Sequence, residues 1–328
     1  MHIALITPAP HRSRAGNRFT ARRWGEWLRA AGHRVEVAVT WNGRPADLML
    51  ALHARRSFAS IAAFHARYPE RPLVVTLTGT DLYRDIATDP DAQQALAWAD
   101  RLIVLQEAGF EALPVAWHDK TRVVYQSAVP GPQTPPAQRH VELCVIGHLR
   151  AEKDPFCAAR ALQWLPAASR IRLLQIGEAL DAGHAQEARH WQASEPRYRW
   201  LGGLSHGETL RRLARSRALI VSSHMEGGAN VICEAVMTGI PVLASDISGN
   251  RGMLGAAYAG LYPAGDAAAL AALMQRAEQD AVFLATLRAQ CAQRRPLFEP
   301  DHEAAALINA LGGLSPPRSP PCPARPCN

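Results

Sequence analysis

Apolar residues in this chain follow two alternating rhythms. Short unbroken apolar runs predict strands at 2–7, 34–39, 47–52, 73–77, 101–105, 122–125, 141–147, 171–176, 199–201, 218–222, 241–244 and 260–263. Stretches with apolar positions three and four apart predict helices at 17–31, 55–68, 91–98, 107–112, 155–164, 181–195, 206–215, 230–238, 266–278, 280–294 and 299–311. On the first of these, Ala21, Trp24, Leu28 and Ala31 share one face and Arg18, Arg22 and Arg29 another. Strand–helix alternation implies parallel sheets covered on both sides.

Between 129 and 139 the pattern stops, and the segment holds four prolines. It reads as a linker. The expected organisation is an N-terminal Rossmann-like domain over 1–130, a linker over 131–139, a second such domain over 140–295, a helix at 296–314 returning to the first domain, and a disordered tail over 315–328. At 328 residues the chain suits two domains, and ligands of such folds bind between the carboxyl ends of the two sheets. No strand is followed by G-x-G-x-x-G, and no Walker A sequence occurs, so neither a dinucleotide-binding dehydrogenase nor a P-loop enzyme is supported.

Composition narrows this further. Hydrophobic residues make up 48% and charged residues 20%, and no run approaches the ~20 apolar residues of a membrane span. The N-terminus reads as a buried strand rather than a signal peptide. The cysteines, Cys144, Cys157, Cys233, Cys291, Cys322 and Cys327, show no C-x-x-C spacing, which suits reduced thiols and a cytoplasmic setting, with no metal site and no cofactor. A net charge of +7 favours anionic ligands, but aromatics are only 6% and no nucleic-acid motif is present.

Candidate chemistry concentrates at Glu226-Gly-Gly-Ala-Asn-Val-Ile-Cys-Glu234. An apolar run, 218–221, and Ser222-Ser223 precede it, and the helical pattern after Asn230 ends at Gly239. Glu226 therefore stands on a strand-to-helix loop and Glu234 just over two turns into the helix. An isolated pair of this spacing is usually two solvated residues. Here the loop amides of Gly227, Gly228 and Ala229 and the positive helix end make a site for a pyrophosphate, with a carboxylate on each side for hydroxyl-rich groups.

Together with Trp200-Leu-Gly202, Ser222-Ser223 and Gly239-Ile-Pro-Val-Leu-Ala-Ser245, this block resembles the retaining family-4 glycosyltransferases of the two-Rossmann-domain (GT-B) type. The resemblance implies that Glu234 holds the ribose of a UDP-sugar, while Glu226, Ser223 and the amides of Gly227, Gly228, Ala229 and Asn230 meet the hexose and pyrophosphate. A second family element appears as Ile146-Gly-His-Leu-Arg-Ala-Glu-Lys-Asp-Pro155. Lys153 matches the family lysine that neutralises the diphosphate. His148 occupies the family's arginine position, Arg150 lies two residues on, and either can supply a second charge. Asp154 stands where the family usually has glycine.

The N-terminal half carries Thr7-Pro-Ala-Pro-His-Arg-Ser-Arg-Ala-Gly-Asn17, Ala51-Leu-His-Ala-Arg-Arg-Ser57 and Leu77-Thr-Gly-Thr-Asp-Leu-Tyr-Arg-Asp85. With the segments above, these resemble selenosugar synthases of the SenB type, which join selenophosphate to a UDP-sugar such as UDP-N-acetylglucosamine in selenoneine biosynthesis. The resemblance implies a selenophosphate site formed by Arg12, Arg14, Gly16, Asn17, His53, Arg55, Arg56, Thr78, Gly79, Thr80 and Asp81. Arginine forks suit phosphate oxygens, though the same residues could be surface solubilisers. His53 could equally serve the core, and Asp81 could equally cap the following turn. Asp89-Pro-Asp91 begins a predicted helix and reads as a cap rather than a metal site. The alternatives are a glycosyltransferase with a hydroxyl acceptor, a nucleotide-sugar epimerase, and a non-catalytic nucleotide-sugar-binding protein. Peripheral membrane contact is a further possibility.

Overall fold

The computed structural model describes residues 1–314 except 12, 14, 15, 133 and 136. Arg12, Arg14, Cys322, Cys327 and the expected disordered tail lie outside the described residues. The first sheet contains β1 (His2–Ile6), β2 (Arg34–Ala38), β3 (Leu48–Leu52), β4 (Leu73–Leu77), β5 (Arg101–Val104) and β6 (Thr121–Val123), in the order β2-β1-β3-β4-β5-β6. The second contains β7 (Val141–Ile146), β8 (Ile171–Ile176), β9 (Tyr198–Trp200), β10 (Ala218–Val221), β11 (Val242–Ser245) and β12 (Leu261–Tyr262), in the order β12-β11-β10-β7-β8-β9. All neighbouring strands within both sheets are parallel.

The helices are α1 (Gly16–Ala30), α2 (Phe58–Arg67), α3 (Ile86–Thr88), α4 (Pro90–Trp98), α5 (Cys157–Leu162), α6 (Ala182–Ser194), α7 (His206–Arg215), α8 (Asn230–Thr238), α9 (Ser248–Leu254), α10 (Ala267–Gln279), α11 (Ala281–Arg294) and α12 (Pro300–Leu311). None is long and apolar enough to cross a membrane.

Burial follows the strand pattern. Every residue of β3 and β4 is buried, as expected for a central strand covered on both faces. Trp24 and Leu28 of α1 pack with Ile3, Leu5 and Leu50 on one face of the first sheet, where Leu307, Ala310 and Leu311 of α12 join them. Met49, Val75, Ile61 and Phe64 fill the opposite face. A separate cluster around Leu143, Leu173, Ile220 and Leu243 forms the core of the second sheet.

The strand order locates the ligand-binding crevice. From β1 the chain adds β2 on one side and β3 on the other, and from β7 it adds β8 on one side and β10 on the other. Ligands of open α/β sheets bind at such reversals, beyond the carboxyl ends of the strands. The loops leaving β1, β3 and β4 carry the N-terminal motifs, and those leaving β7 and β10 carry Lys153 and Glu226.

Several predicted boundaries shift. The helix expected at 55–68 begins only at Phe58, because His53 has a left-handed φ of 72° and the chain stays irregular after it. The expected helix at 107–112 is a 3-10 turn, and the one at 155–164 shrinks to α5. Ala31 does not join the buried face of α1. It is exposed, and Gly32 turns the chain with φ 85°. A π-helical turn at Asp81–Asp85 and the helix α9 had no counterpart in the pattern, since neither shows an apolar repeat long enough to read.

Candidate functional site

The loops after β7 and β10 are bound to each other. Ser222 Oγ donates to the carbonyls of Lys153, at 3.1 Å, and Asp154, at 2.9 Å. The His224 amide donates to the Glu152 carbonyl at 2.9 Å. Asp154 adopts φ 38° and ψ 61°, a left-handed conformation that glycine enters freely and aspartate tolerates better than most residues. Arg160 holds its carboxylate at 2.8 and 2.9 Å. The departure from glycine at this position thus keeps the backbone shape and adds an anchor.

This stitching sets Lys153 against Glu226. The two side chains form an ion pair, and Ser223 Oγ donates to the same Glu226 oxygen at 2.6 Å. Gly249 packs against the other side of Glu226, where an added Cβ would lie 1.9 Å from the Glu226 carbonyl oxygen. Gly147, His148, Lys153, Ser222, Ser223 and Glu226 line one narrow cavity beside the start of α8. The first amides of α8 have no partner within the helix, so lysine and helix end face the same space with positive charge. Arg150 lies half-buried beyond the cavity lining. Glu234 is on α8, as its spacing implied, and pairs with His206 at 2.8 Å.

The N-terminal motifs meet this loop across the cleft. Asn17 Nδ2 donates to Thr78 Oγ1 at 3.4 Å. A Cβ on Gly16 would lie 3.1 Å from Asn230 Nδ2, and one on Gly79 the same distance from the Gly227 amide. Gly227 is the tightest of these contacts, because its Cβ would lie 2.5 Å from the Thr78 carbonyl. Gly228 likewise abuts Leu105, at 2.7 Å. Tyr83 also crosses the cleft, with its hydroxyl 3.3 Å from Ser248 Oγ and 2.7 Å from Gln106 Nε2. Gly227→Ala is therefore expected to hold the two halves apart and lower kcat/KM roughly a hundredfold, with thermal stability almost unchanged. Paired activity and melting measurements check this; an active variant would show that backbone contact at Gly227 is dispensable.

The remaining N-terminal candidates serve different ends. Asp81 is 0% exposed and accepts the amides of Ala54 at 3.0 Å, Thr78 at 2.8 Å and Gly79 at 2.9 Å. It anchors the loops after β3 and β4 rather than reaching the cleft. His53 Nδ1 accepts the Arg56 amide at 3.3 Å, which leaves Nε2 to donate to Thr80 Oγ1 at 3.0 Å. Burial pushes the His53 pKa down, with Arg56 and Arg84 adding to that and Asp81 and Asp85 opposing it. Its neutral form thus leaves the Thr80 hydroxyl proton free to point elsewhere. Arg55 is engaged by Asp89, at 2.8 Å. Asp89 also caps α4, accepting the Ala92 amide at 2.9 Å.

Sequence reasoning missed Gln175. It is 1% exposed on β8, lines the same cavity, and has neither amide atom hydrogen-bonded within the chain. Its signal was a lone uncharged polar residue inside the apolar run 171–176. His148 Nδ1 and Asn230 Oδ1 are also buried and unpartnered within the chain. Such groups are costly to leave unmet, and the presence of Gln175 and His148 in one cavity lining favours a polar ligand. A wider groove of about 790 Å³, walled by Leu82, Ile86, Ala97, Pro114 and Trp117, carries no carboxylate or basic side chain and is not where the reactive groups lie. Among the described residues no group of three or more His, Cys, Asp or Glu could hold a metal ion. Cys144, Cys157, Cys233 and Cys291 are buried and unpaired, and burial pushes the Cys144 thiol up to about 12.

Residues 132–296 match the family model described as Glycosyl transferases group 1. A glycogen synthase from Mycobacterium tuberculosis strain H37Rv is 29% identical over 191 residues, 55% of this chain. The chain spans only 42% of that relative's length. Among solved structures, Anabaena HepE in complex with UDP-glucose superposes with a TM-score of 0.76 at 17% identity, over 95% of this chain and 99% of HepE. Sucrose-phosphate synthase from Thermosynechococcus elongatus gives 0.74 at 17% identity, over 94% of this chain and 98% of its own. These likenesses show the GT-B fold: two α/β domains facing a cleft.

Proposed function

Because the chain belongs to the group 1 glycosyl transferases, we propose that it moves a hexose from a UDP-sugar to an acceptor held by its N-terminal half. The observation that carries this reading is the Lys153–Glu226 pair beside the start of α8, packed against Thr78 and Gly79 of the opposite sheet. Lys153 and the α8 amides stabilise the diphosphate as it leaves and gains charge. His148 and Arg150 stand on the same loop as additional donors. Glu226, fixed by Ser223, faces the hexose. Glu234 takes the ribose hydroxyls. UDP is the nucleotide in the HepE complex, which supports the choice of donor.

Two acceptor classes differ in their chemistry. A saccharide hydroxyl is the first reading: glycogen synthase and sucrose-phosphate synthase are both named for saccharide products. Selenophosphate is the second, favoured by one observation. The acceptor wall offers donors, Thr80 and Asn17, with Arg56 nearby, while its carboxylate, Asp81, is sealed by three amides. A nucleophile that is already anionic needs no base there. In that reaction selenium would displace the diphosphate at the anomeric carbon, forming a C–Se bond, and water would then remove the phosphoryl group.

Mass spectrometry of the purified chain with UDP-glucose or UDP-N-acetylglucosamine decides between them, using glucose, glucose phosphates and selenophosphate as acceptors. A glycoside with UDP released in step supports the first reading, and a selenosugar with its selenium isotope pattern the second. UDP binding without turnover of either donor would overturn both and leave a binding protein. Glu234→Ala is expected to weaken UDP binding about ten- to a hundredfold, since hydrogen bonds to a charged group contribute about 1.5–3 kcal/mol. Unchanged binding by calorimetry would remove the ribose assignment.

A further inference from the structure

His206 is the first residue of α7, directly after its N-cap, Ser205. Its Nε2 lies 2.8 Å from Glu234 Oε1. Phe19 of α1, from the other half of the molecule, packs against the ring, with centroids 5.8 Å apart. The Glu234 side chain is 18% exposed and that of His206 54%. A glutamate carboxylate rotates almost freely about its last torsion. Fixing Oε1 from one side removes that freedom and leaves Oε2 to accept from a ligand.

We propose that His206 is a positioning residue that fixes the Glu234 carboxylate for the ribose diol, and that Phe19 holds the imidazole in place when the two halves close. This rests on Glu234 being the ribose ligand. Glu234 faces the imidazole from α8 and Arg22 from α1, while Glu208 on its own helix is engaged by Arg211 and Arg212. The hydrogen bond to Glu234 raises the His206 pKa, with burial and Arg22 opposing it. The charged form that grips the carboxylate therefore persists above the usual histidine range and is lost as pH rises through the raised value.

Calorimetric binding of UDP and of 2′,3′-dideoxy-UDP to the full chain tests this. His206→Ala is expected to weaken UDP roughly three- to fivefold, as befits a half-exposed pair, and to leave dideoxy-UDP unchanged. Glu234→Ala is expected to show the same selectivity with a larger loss, and the double variant to be no weaker than Glu234→Ala. His206→Gln, which keeps a donor, is expected to recover most of the affinity at every pH. With UDP-glucose, wild-type affinity is expected to fall as pH rises through the His206 transition, and this limb is absent from His206→Ala. Equal losses for UDP and dideoxy-UDP in His206→Ala would mean a merely structural role and overturn the proposal. So would an unaffected His206→Ala beside a selective Glu234→Ala, although the ribose assignment would then stand. A Glu234→Ala variant without selectivity would overturn both.

Discussion

Lys153→Met is expected to lower kcat by about 10²–10³-fold while the protein stays folded. Methionine keeps most of the lysine stem, so packing against the loop after β10 survives. What disappears is the cation beside the leaving diphosphate. Removing one preorganised donor from a developing anion in a low-dielectric site typically costs this much. The effect should fall on kcat more than on donor KM, because the charge on the bridging oxygen grows only as the bond to the sugar breaks. Lys153 also pairs with Glu226, so the variant leaves that carboxylate without its cation in a nearly buried place. Glu226→Gln separates the two effects, as it removes that charge and keeps Lys153. Turnover of UDP-sugar, with thermal melting as a control on folding, is the measurement. A kcat within threefold of wild type would place the leaving-group cation elsewhere, with Arg150 the first residue to examine.

The second large effect concerns the frame. Glu303 of α12 is 0% exposed yet carries three donors: Arg23 at 2.9 Å, the Trp24 indole at 2.6 Å and the Ser127 amide at 2.5 Å. Ser127 lies where the chain leaves the first sheet for the second, and the neighbouring Gln126 is bonded to Thr20 of α1. One carboxylate thus ties the returning helix, the first helix and the crossover together. Glu303→Ala leaves the indole and the amide buried without an acceptor and opens a small void. Breaking a buried charged cluster by removing one partner costs about 3–5 kcal/mol, which corresponds to a melting-point drop of roughly 4–7 °C in a chain of this size. Glu303→Gln retains one acceptor oxygen and is expected to lose about half as much. Calorimetric melting decides; a Glu303→Ala midpoint within 2 °C of wild type would mean that water or Arg23 replaces the carboxylate at no cost.

The contrast between these two residues shows how differently a sequence reveals its parts. Lys153 was legible, because it stands at a fixed offset from a strand end within a recognisable motif. Glu303 was not. It sits in a predicted helix like any surface glutamate, and only the return of that helix onto α1 reveals that it is buried. Asp81 was open to two readings, a cleft contact or a cap of the following turn, and only the fold shows three amides from two loops converging on it.

Local rules therefore account for what the sequence by itself determined. These are the parallel α/β character of both halves, the position of Glu226 on a loop and Glu234 in a helix, and the cap at Asp89. Each depends on spacing within a few residues, where backbone geometry allows few outcomes. Tertiary structure alone decided the strand orders that place two reversals face to face. It also decided the pairing of Lys153 with Glu226, the sealing of Asp81, the burial of Gln175 and the contact of His206 with Glu234. Apart from Thr78 and Gly79 beside Asp81, the partners lie far apart along the chain. Their meeting depends on how whole sheets and helices pack, a balance of many weak contacts that no short segment records.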